Sequence, residues 1–261
     1  MSAPLHVVRA GQGPRCVLVH GSATDHATWT IQFASRLTAE VRLIAYDRRG
    51  AGRSPLPDGV PWLTVEEHAR DLAGLIDAEG GPAVVVGSSF GGVVALELTR
   101  RWPALVRGAV LLEPPLPPSD DQPSSPPGFL EGLDATAAEH GAPAAAERFL
   151  RTVLGDDAWG KLPRAFQERS KGFWPQIRGD CHALAAYQVR YAELAAIDVP
   201  MLLLGGERSA AYFRPTLEAL ARSLGRARLD VLKGAGHMMQ AEAPRGFHDR
   251  LTRFLAELPS P

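Results

Sequence analysis

Val84-Val85-Val86-Gly87-Ser88-Ser89-Phe90-Gly91-Gly92-Val93-Val94-Ala95-Leu96 passes from one hydrophobic pattern to another within a single turn of chain. A run of β-branched valines ends in Gly87-x-Ser89-x-Gly91, and helical spacing (Val93, Leu96, Glu97, Arg100) begins at once. That is strand, sharp turn and helix, with Ser89 at the apex. A serine there is held in a strained backbone conformation, so the residues two before and two after it crowd together. Glycine at 87 and 91 relieves the crowding, and the turn holds the Ser89 hydroxyl above the sheet edge. The helix that follows points its first N–H groups and positive dipole end at the same spot, where an oxyanion would form.

Working outward, short apolar runs alternate with helical patterns. Leu5–Arg9 suits an edge strand, and Cys16–Val19 is a buried strand that stops at His20-Gly21-Ser22-Ala23. Trp29, Phe33 and Leu37 give helical spacing, and Val41–Tyr46 is the next strand, ending in Asp47-Arg48-Arg49-Gly50-Ala51-Gly52-Arg53-Ser54. Thr64-Val65-Glu66-Glu67 is a capping box opening a helix to Gly80-Gly81. Val106–Leu112 is a strand that runs into Glu113-Pro114-Pro115. Proline, serine and aspartate then crowd residues 114–128 as a linker, and 129–194 is alanine-rich and helical with no strand pattern. Strands resume at Met201–Leu204 and Ala227–Leu232, with helices at Phe213–Leu224 and from Pro244 to Leu258.

Strands alternating with helices predict an α/β fold: a mostly parallel, doubly wound sheet with an inserted helical cap. The core is expected to comprise 1–113 and 197–261, with 114–196 as the cap. A chain of 261 residues with 45% apolar and 22% charged residues suits one globular enzyme domain. A net charge of −1, both signs interspersed, suggests neither nucleic acid nor an anionic membrane as partner. The N-terminus shows no secretory signal pattern, and no apolar run reaches spanning length. Cys16 and Cys181 fit a reducing compartment better than a disulfide framework, so a cytoplasmic location is expected. No CxxC or HxxxH spacing invites a metal, and no cofactor is implied. The expected partner is a small-molecule substrate, with oligomeric state open.

In an open α/β sheet, ligands sit beyond the carboxyl ends of the strands. His20-Gly21-Ser22, Asp47-Arg48-Arg49-Gly50, Ser89, Glu113 and His237 all fall there. This set, in this order, resembles the α/β-hydrolase fold superfamily over nearly the whole chain. Tyr46–Gly50, Gly52 and Ser54 are similar to the segment found in its small esterase, lactonase and cofactor-free haloperoxidase group. The resemblance implies Ser89 as nucleophile, a hydroxyl that needs a base to take its proton during attack. His237, in the flexible Gly234-Ala235-Gly236-His237 loop, is the candidate base, since its near-neutral pKa suits general base and then general acid work.

The third member departs from the common family pattern. Relatives usually carry the orienting aspartate in a Gly-x-x-Asp context after the strand matching Met201–Leu204, where this chain has Ser209. Serine cannot supply the charge that stabilises an imidazolium. Some relatives place the acid after the strand following the nucleophile helix, which is the position of Glu113. Glu113 is therefore the preferred acid and Glu207 the alternative. The oxyanion hole is expected from the Phe90 and Ser22 amides. Asp47–Ser54 lacks the Gly-Lys-Ser/Thr ending of a phosphate loop and is expected to brace the site. Trp62, Trp159, Phe173, Trp174 and Tyr187 are candidates to line an apolar pocket, and His182 is a cap histidine that could face it.

These residues favour a serine hydrolase cleaving a carboxylic ester or lactone of a small to medium, largely apolar substrate. Carbon–carbon bond hydrolases and cofactor-free haloperoxidases or perhydrolases use the same triad and stay open as alternatives. Dehalogenases and epoxide hydrolases of this fold need an aspartate nucleophile, which Ser89 argues against. A ligand receptor with little turnover is the alternative of another class.

Overall fold

The computed structural model describes residues 4–259. Seven strands, β1 (Val7–Ala10), β2 (Arg15–Val19), β3 (Arg42–Tyr46), β4 (Ala83–Ser88), β5 (Val106–Leu112), β6 (Met201–Gly206) and β7 (Ala227–Leu232), form one sheet in the order β1-β3-β2-β4-β5-β6-β7. β1 is an antiparallel edge on β3, and every other pair is parallel. Strand order reverses between β2 and β4, so the chain leaves these neighbours in opposite directions and opens a crevice at their carboxyl ends. His20-Gly21-Ser22 follows β2 and Ser89 follows β4.

Both faces of the sheet are covered, which explains why its strands read as continuous apolar runs. Val17, Ile44, Val85, Leu111 and Leu203 belong to one core cluster, while Leu18, Ala45, Val86, Val110 and Leu202 belong to the other. On the first face lie α3 (Val65–Ala78), α4 (Phe90–Arg101) and, near the far edge, α11 (Phe213–Ser223). On the second lie α1 (Thr30–Phe33), α2 (Leu37–Glu40), α12 (Met239–Glu242) and α13 (Pro244–Glu257), the last contributing Phe247, Leu251 and Phe254. α3 starts with the capping box read from sequence: Thr64 Oγ1 accepts from Glu67 N–H (3.2 Å), and Glu67 Oε2 accepts from Thr64 N–H (2.8 Å). Such a cap stabilises a helix by about 1 kcal/mol.

The continuous helix suggested by Trp29, Phe33 and Leu37 is broken. A 3-10 turn at His26–Trp29 leads into the one-turn helices α1 and α2. Side chains compete with the backbone here: Ser35 Oγ donates to Gln32 O (2.7 Å) and accepts from Leu37 N–H (3.2 Å), while Thr38 Oγ1 donates to Ser35 O (3.0 Å). Serine and threonine hydroxyls offer this alternative to a helical ladder.

Between β5 and β6 come six helices: α5 (Phe129–His140), α6 (Ala142–Leu154), α7 (Asp156–Lys161), α8 (Arg164–Lys171), α9 (Trp174–Ala186) and α10 (Tyr191–Leu194). They carry a small core of their own around Leu133, Ala145, Ala146, Trp159, Trp174 and Ile177. Ala145 and Ala146 of α6 are fully buried against their neighbours. This insertion caps the sheet, since residues of α5, α6 and α9 share cavity walls with Ser89. Among the described residues, no helix is long and apolar enough to cross a membrane.

Candidate active site

Ser89 sits between β4 and α4 with φ 52 and ψ −123, an unfavourable region for any residue with a Cβ. Its own N–H donates to Leu112 O at the end of β5 (2.8 Å), and its carbonyl accepts from Gly92 N–H (2.7 Å). A Cβ on Gly91 would collide with the Val19 and His20 carbonyls. Glycine there lets the end of β2 pack directly on the start of α4.

His237 and Glu113 are brought together across the intervening strand β6. His237 Nδ1 lies 2.7 Å from Glu113 Oε2, and Glu113 Oε1 accepts from the Gly206 N–H of β6 (2.7 Å). The carboxylate is 1% exposed and the imidazole 8%, so both charges would be costly without these bonds. With Nδ1 engaged by the carboxylate, the ring's Nε2 is left as the basic nitrogen. Phe213 lies parallel to the imidazole (centroids 4.4 Å, 8° between planes) and fixes its tilt. Glu113 itself has φ 44, a second strained backbone position.

Glu207 stands elsewhere. It is exposed, and its Oε2 accepts from Gly234 N–H (2.8 Å), tethering the start of the loop that bears His237. Ser209, at the position where relatives carry aspartate, has a buried hydroxyl with no hydrogen-bond partner.

The loop after β2 is held from behind. Gly21 O accepts from His20 Nδ1 (2.8 Å) and from Arg48 Nη2 (3.1 Å), and Arg48 Nε donates to His20 O (3.1 Å). In a planar trans peptide the N–H points opposite to the C=O, so pinning the Gly21 carbonyl toward Arg48 turns the Ser22 amide to the other side. Ser22 and Ser89 line the same two cavities. Phe90, the first residue of α4, has an N–H without an intrahelical acceptor, as all first-turn amides do. His20 is neutral: burial, then the Arg48 guanidinium, push its imidazole down to about 3. Its Nε2 therefore accepts, from Arg48 N–H (2.9 Å), and its Nδ1–H donates.

Asp180, and its pairing with Arg48, is the part of the site that sequence reasoning did not find. The Arg48 side chain is fully buried. Its Nη1 and Nη2 donate to Asp180 Oδ1 and Oδ2 (3.0 and 2.7 Å), and its guanidinium lies 4.4 Å from the centre of the Phe90 ring. Asp180 Oδ2 also accepts from Ser22 Oγ (2.7 Å). One arginine after β3 thus ties the β2 loop and α4 to α9 of the insertion. The bracing expected of the Asp47–Ser54 loop is carried by Arg48 on one side and Asp47 on the other. Burial alone would raise the Asp47 carboxyl, but bonds from His26 N–H, Arg53 N–H and the His26 ring bring it below its ordinary value. Those bonds satisfy both Asp47 oxygens. Asp47 therefore acts as a hydrogen-bonded brace, although with His6 and His26 it forms a group of metal-ligand type among the described residues.

The aromatic lining differs from expectation. Trp159, Trp174 and Phe173 pack in the insertion's own core, and Tyr187 donates its hydroxyl to buried Glu97 (2.9 Å). Trp62 stacks on His182 (centroids 4.1 Å), which turns that histidine away from the pocket and leaves its neighbours Asp180, Cys181 and Leu184 to line it. The aromatic rings that reach the cavities are Phe129, Phe149, Phe166, Tyr212 and Phe213. Each lies on a helix or at its start, where sequence spacing does not say which neighbour a buried ring will face.

A family model described as the alpha/beta hydrolase family matches residues 16–250. The chain is 30% identical to the proposed carbamate hydrolase RutD of Variovorax paradoxus (strain S110), over 99% of this chain and 98% of RutD. It is 42% identical to Lipase LipV of Mycobacterium tuberculosis over 116 residues, so the match spans 44% of this chain and 43% of LipV. Among solved structures, the enol-lactonase from Burkholderia xenovorans LB400 is similar with a TM-score of 0.79 and 26% identity, covering 97% of this chain and 96% of that one.

Proposed function

This chain belongs to the alpha/beta hydrolase family, and on that premise we propose that it is a serine hydrolase cleaving a carboxylic ester or lactone through an acyl-enzyme. The observation that carries the reading is the Glu113–His237 pair, bonded at 2.7 Å, with His237 and strained Ser89 on the wall of one cavity. Ser89 Oγ attacks the acyl carbon while His237 Nε2 takes its proton. Glu113 orients the ring and stabilises the imidazolium, and the Ser22 and Phe90 amides hold the oxyanion. His237 then gives the proton to the leaving oxygen. Water activated by the same nitrogen hydrolyses the acyl-enzyme. The lipase and enol-lactonase among its relatives act on bonds of this class by name, and a carbamate, though a carbonic acid derivative, has a carbonyl carbon open to the same attack.

The test is hydrolysis of a methyl ester series, acetate to decanoate, followed by acid release, with fluorophosphonate labelling in parallel. Wild type should label and turn over. Ser89→Ala should do neither, and Glu113→Gln should fall by orders of magnitude while Glu207→Gln does not. An unlabelled wild type would overturn the proposal and favour a binding role.

A further inference from the structure

We propose that this site is built for substrates with their bulk on the acyl side and a small leaving group. The substrate class is a methyl or ethyl ester of a phenylalkyl or medium-chain acid, or a lactone whose side chain is borne on the carbon next to its carbonyl. The proposal rests on the acyl-transfer reading above and adds a direction to it.

Two cavities of unequal size meet at Ser22 and Ser89: one of about 60 Å³ and one of about 430 Å³, a roughly sevenfold difference. Their walls share only four residues, Ser22, Ser89, Phe149 and Val153. Phe149 and Val153 are one turn apart on α6, so their side chains stand side by side and form a partition. The reacting carbon must sit at Ser89, and the partition forces the two halves of a substrate to opposite sides of it.

The chemistry says which half goes where. The leaving oxygen must receive its proton from His237, so it departs on the His237 side. His237 and its neighbour Met238 line the small cavity and not the large one. By microscopic reversibility, the deacylating water must occupy the place the leaving group vacates. The small cavity has room for a water or a short alkyl group: its volume is about that of two water molecules at liquid density, and Thr24, Thr28 and Gln240 add polar groups to walls that are otherwise mostly apolar, among them Leu150, Leu154 and Phe166.

The large cavity suits an apolar chain. Leu116, Phe129, Leu184 and Phe213 are among its walls, and at interior packing density it takes on the order of ten carbon atoms. It is also where this chain spends its proline-rich segment, since Pro115, Pro117, Pro118, Pro123 and Pro126 all face it. Prolines hold a wall without backbone N–H donors, so the segment lines an apolar cavity without offering unmet donors at those positions.

A reverse-ester pair tests the direction with composition held constant: methyl 4-phenylbutanoate against 3-phenylpropyl acetate, by kcat/KM from acid release. Wild type should prefer the first by about tenfold or more, the discrimination expected when several buried carbons lose their pocket. Phe149→Ala and Val153→Ala, checked for native far-UV circular dichroism, should open the partition and shrink that ratio at least about threefold, chiefly by improving the acetate. A ratio near one or reversed in wild type overturns the proposal. So does a ratio that neither variant moves, and so does Ser89 labelling without turnover of either ester. Fluorophosphonate labelling of Ser89 separates the failures. Loss of labelling refutes the acyl-transfer reading itself, whereas labelling with a flat ratio refutes only the direction.

Discussion

Replacing Asp180 by asparagine tests whether the insertion holds the loop after β2, from which the proposed mechanism draws an oxyanion amide. Asp180 accepts both Arg48 nitrogens at 3.0 and 2.7 Å and the Ser22 hydroxyl at 2.7 Å, in a setting where the arginine is fully buried. Asparagine keeps the shape but removes the charge, and its amide nitrogen faces a donor. Arg48 is left with neutral partners only: the His20 and Gly21 carbonyls and the unprotonated ring of His68. Breaking one side of a buried pair costs about 3–5 kcal/mol, because the surviving charge stays desolvated. Against a total stability of roughly 5–15 kcal/mol, a loss near 3 is easily read from urea denaturation at pH 7. The companion variant Arg48→Met with Asp180→Leu removes both charges and should recover much of that loss, since well-packed apolar pairs replace buried ion pairs at little cost. Activity gives a second readout. With Arg48 loosened, the Gly21 carbonyl is less firmly pinned, and kcat should fall about 10–100-fold with little change in KM, the signature of a transition-state contact. A stability loss below about 1 kcal/mol would show that the pair is not the buried lock described here, and unchanged kcat would refute its hold on the loop after β2.

Glu113→Gln should lower kcat about a thousandfold or more by removing the charge that steadies the imidazolium, while Glu207→Gln, which affects only a loop tether, should stay within about threefold; equal losses would refute the assignment of the acid. Gly21→Ala would place a Cβ 3.0 Å from Ser88 O and Ser89 Cβ, so kcat should drop by about tenfold or more with the melting temperature nearly unchanged, and full activity would refute a tight approach of that loop. Acid sensitivity follows from His20. Its folded pKa, about 3, lies below the ordinary 6.5, so between those values the unfolded chain binds a proton that the native chain does not. Its contribution to stability is therefore constant above about pH 6.5 and is lost as pH falls toward 3, by about 2 kcal/mol between pH 6.5 and 5. Buried His68, held well below its ordinary value by desolvation and then by the Arg48 charge, acts in the same direction. The urea midpoint should fall between pH 7 and 5, and less so in His20→Gln; a slope identical in the two proteins would refute the assignment.

The features written in the sequence are those set by neighbours along the chain. The valine run and its two glycines were enough to place Ser89 on a strained turn, although the crowding at Gly91 comes from the end of β2, which sequence did not show. The Thr64–Glu67 box and the strand Val106–Leu112 were legible for the same reason: capping and alternation are local, and doubly covered strands are apolar throughout. Chain order also suggested Glu113 over Glu207, though only folding brought Glu113 and His237 within 2.7 Å across β6. Where the strands left the chain, specificity depended on packing between distant segments. Trp159 was a candidate for the pocket wall and Phe149 was not, yet the first packs in the insertion's core and the second lines both cavities. His182 and Cys181 are adjacent in sequence, and a rotation of one residue about α9 decides which of them meets the pocket. Arg48 and Asp180 lie in segments with no pattern linking them, and a buried ion pair leaves no periodic trace. Only the tertiary structure, by closing α9 over the ends of β2 and β3, made them partners.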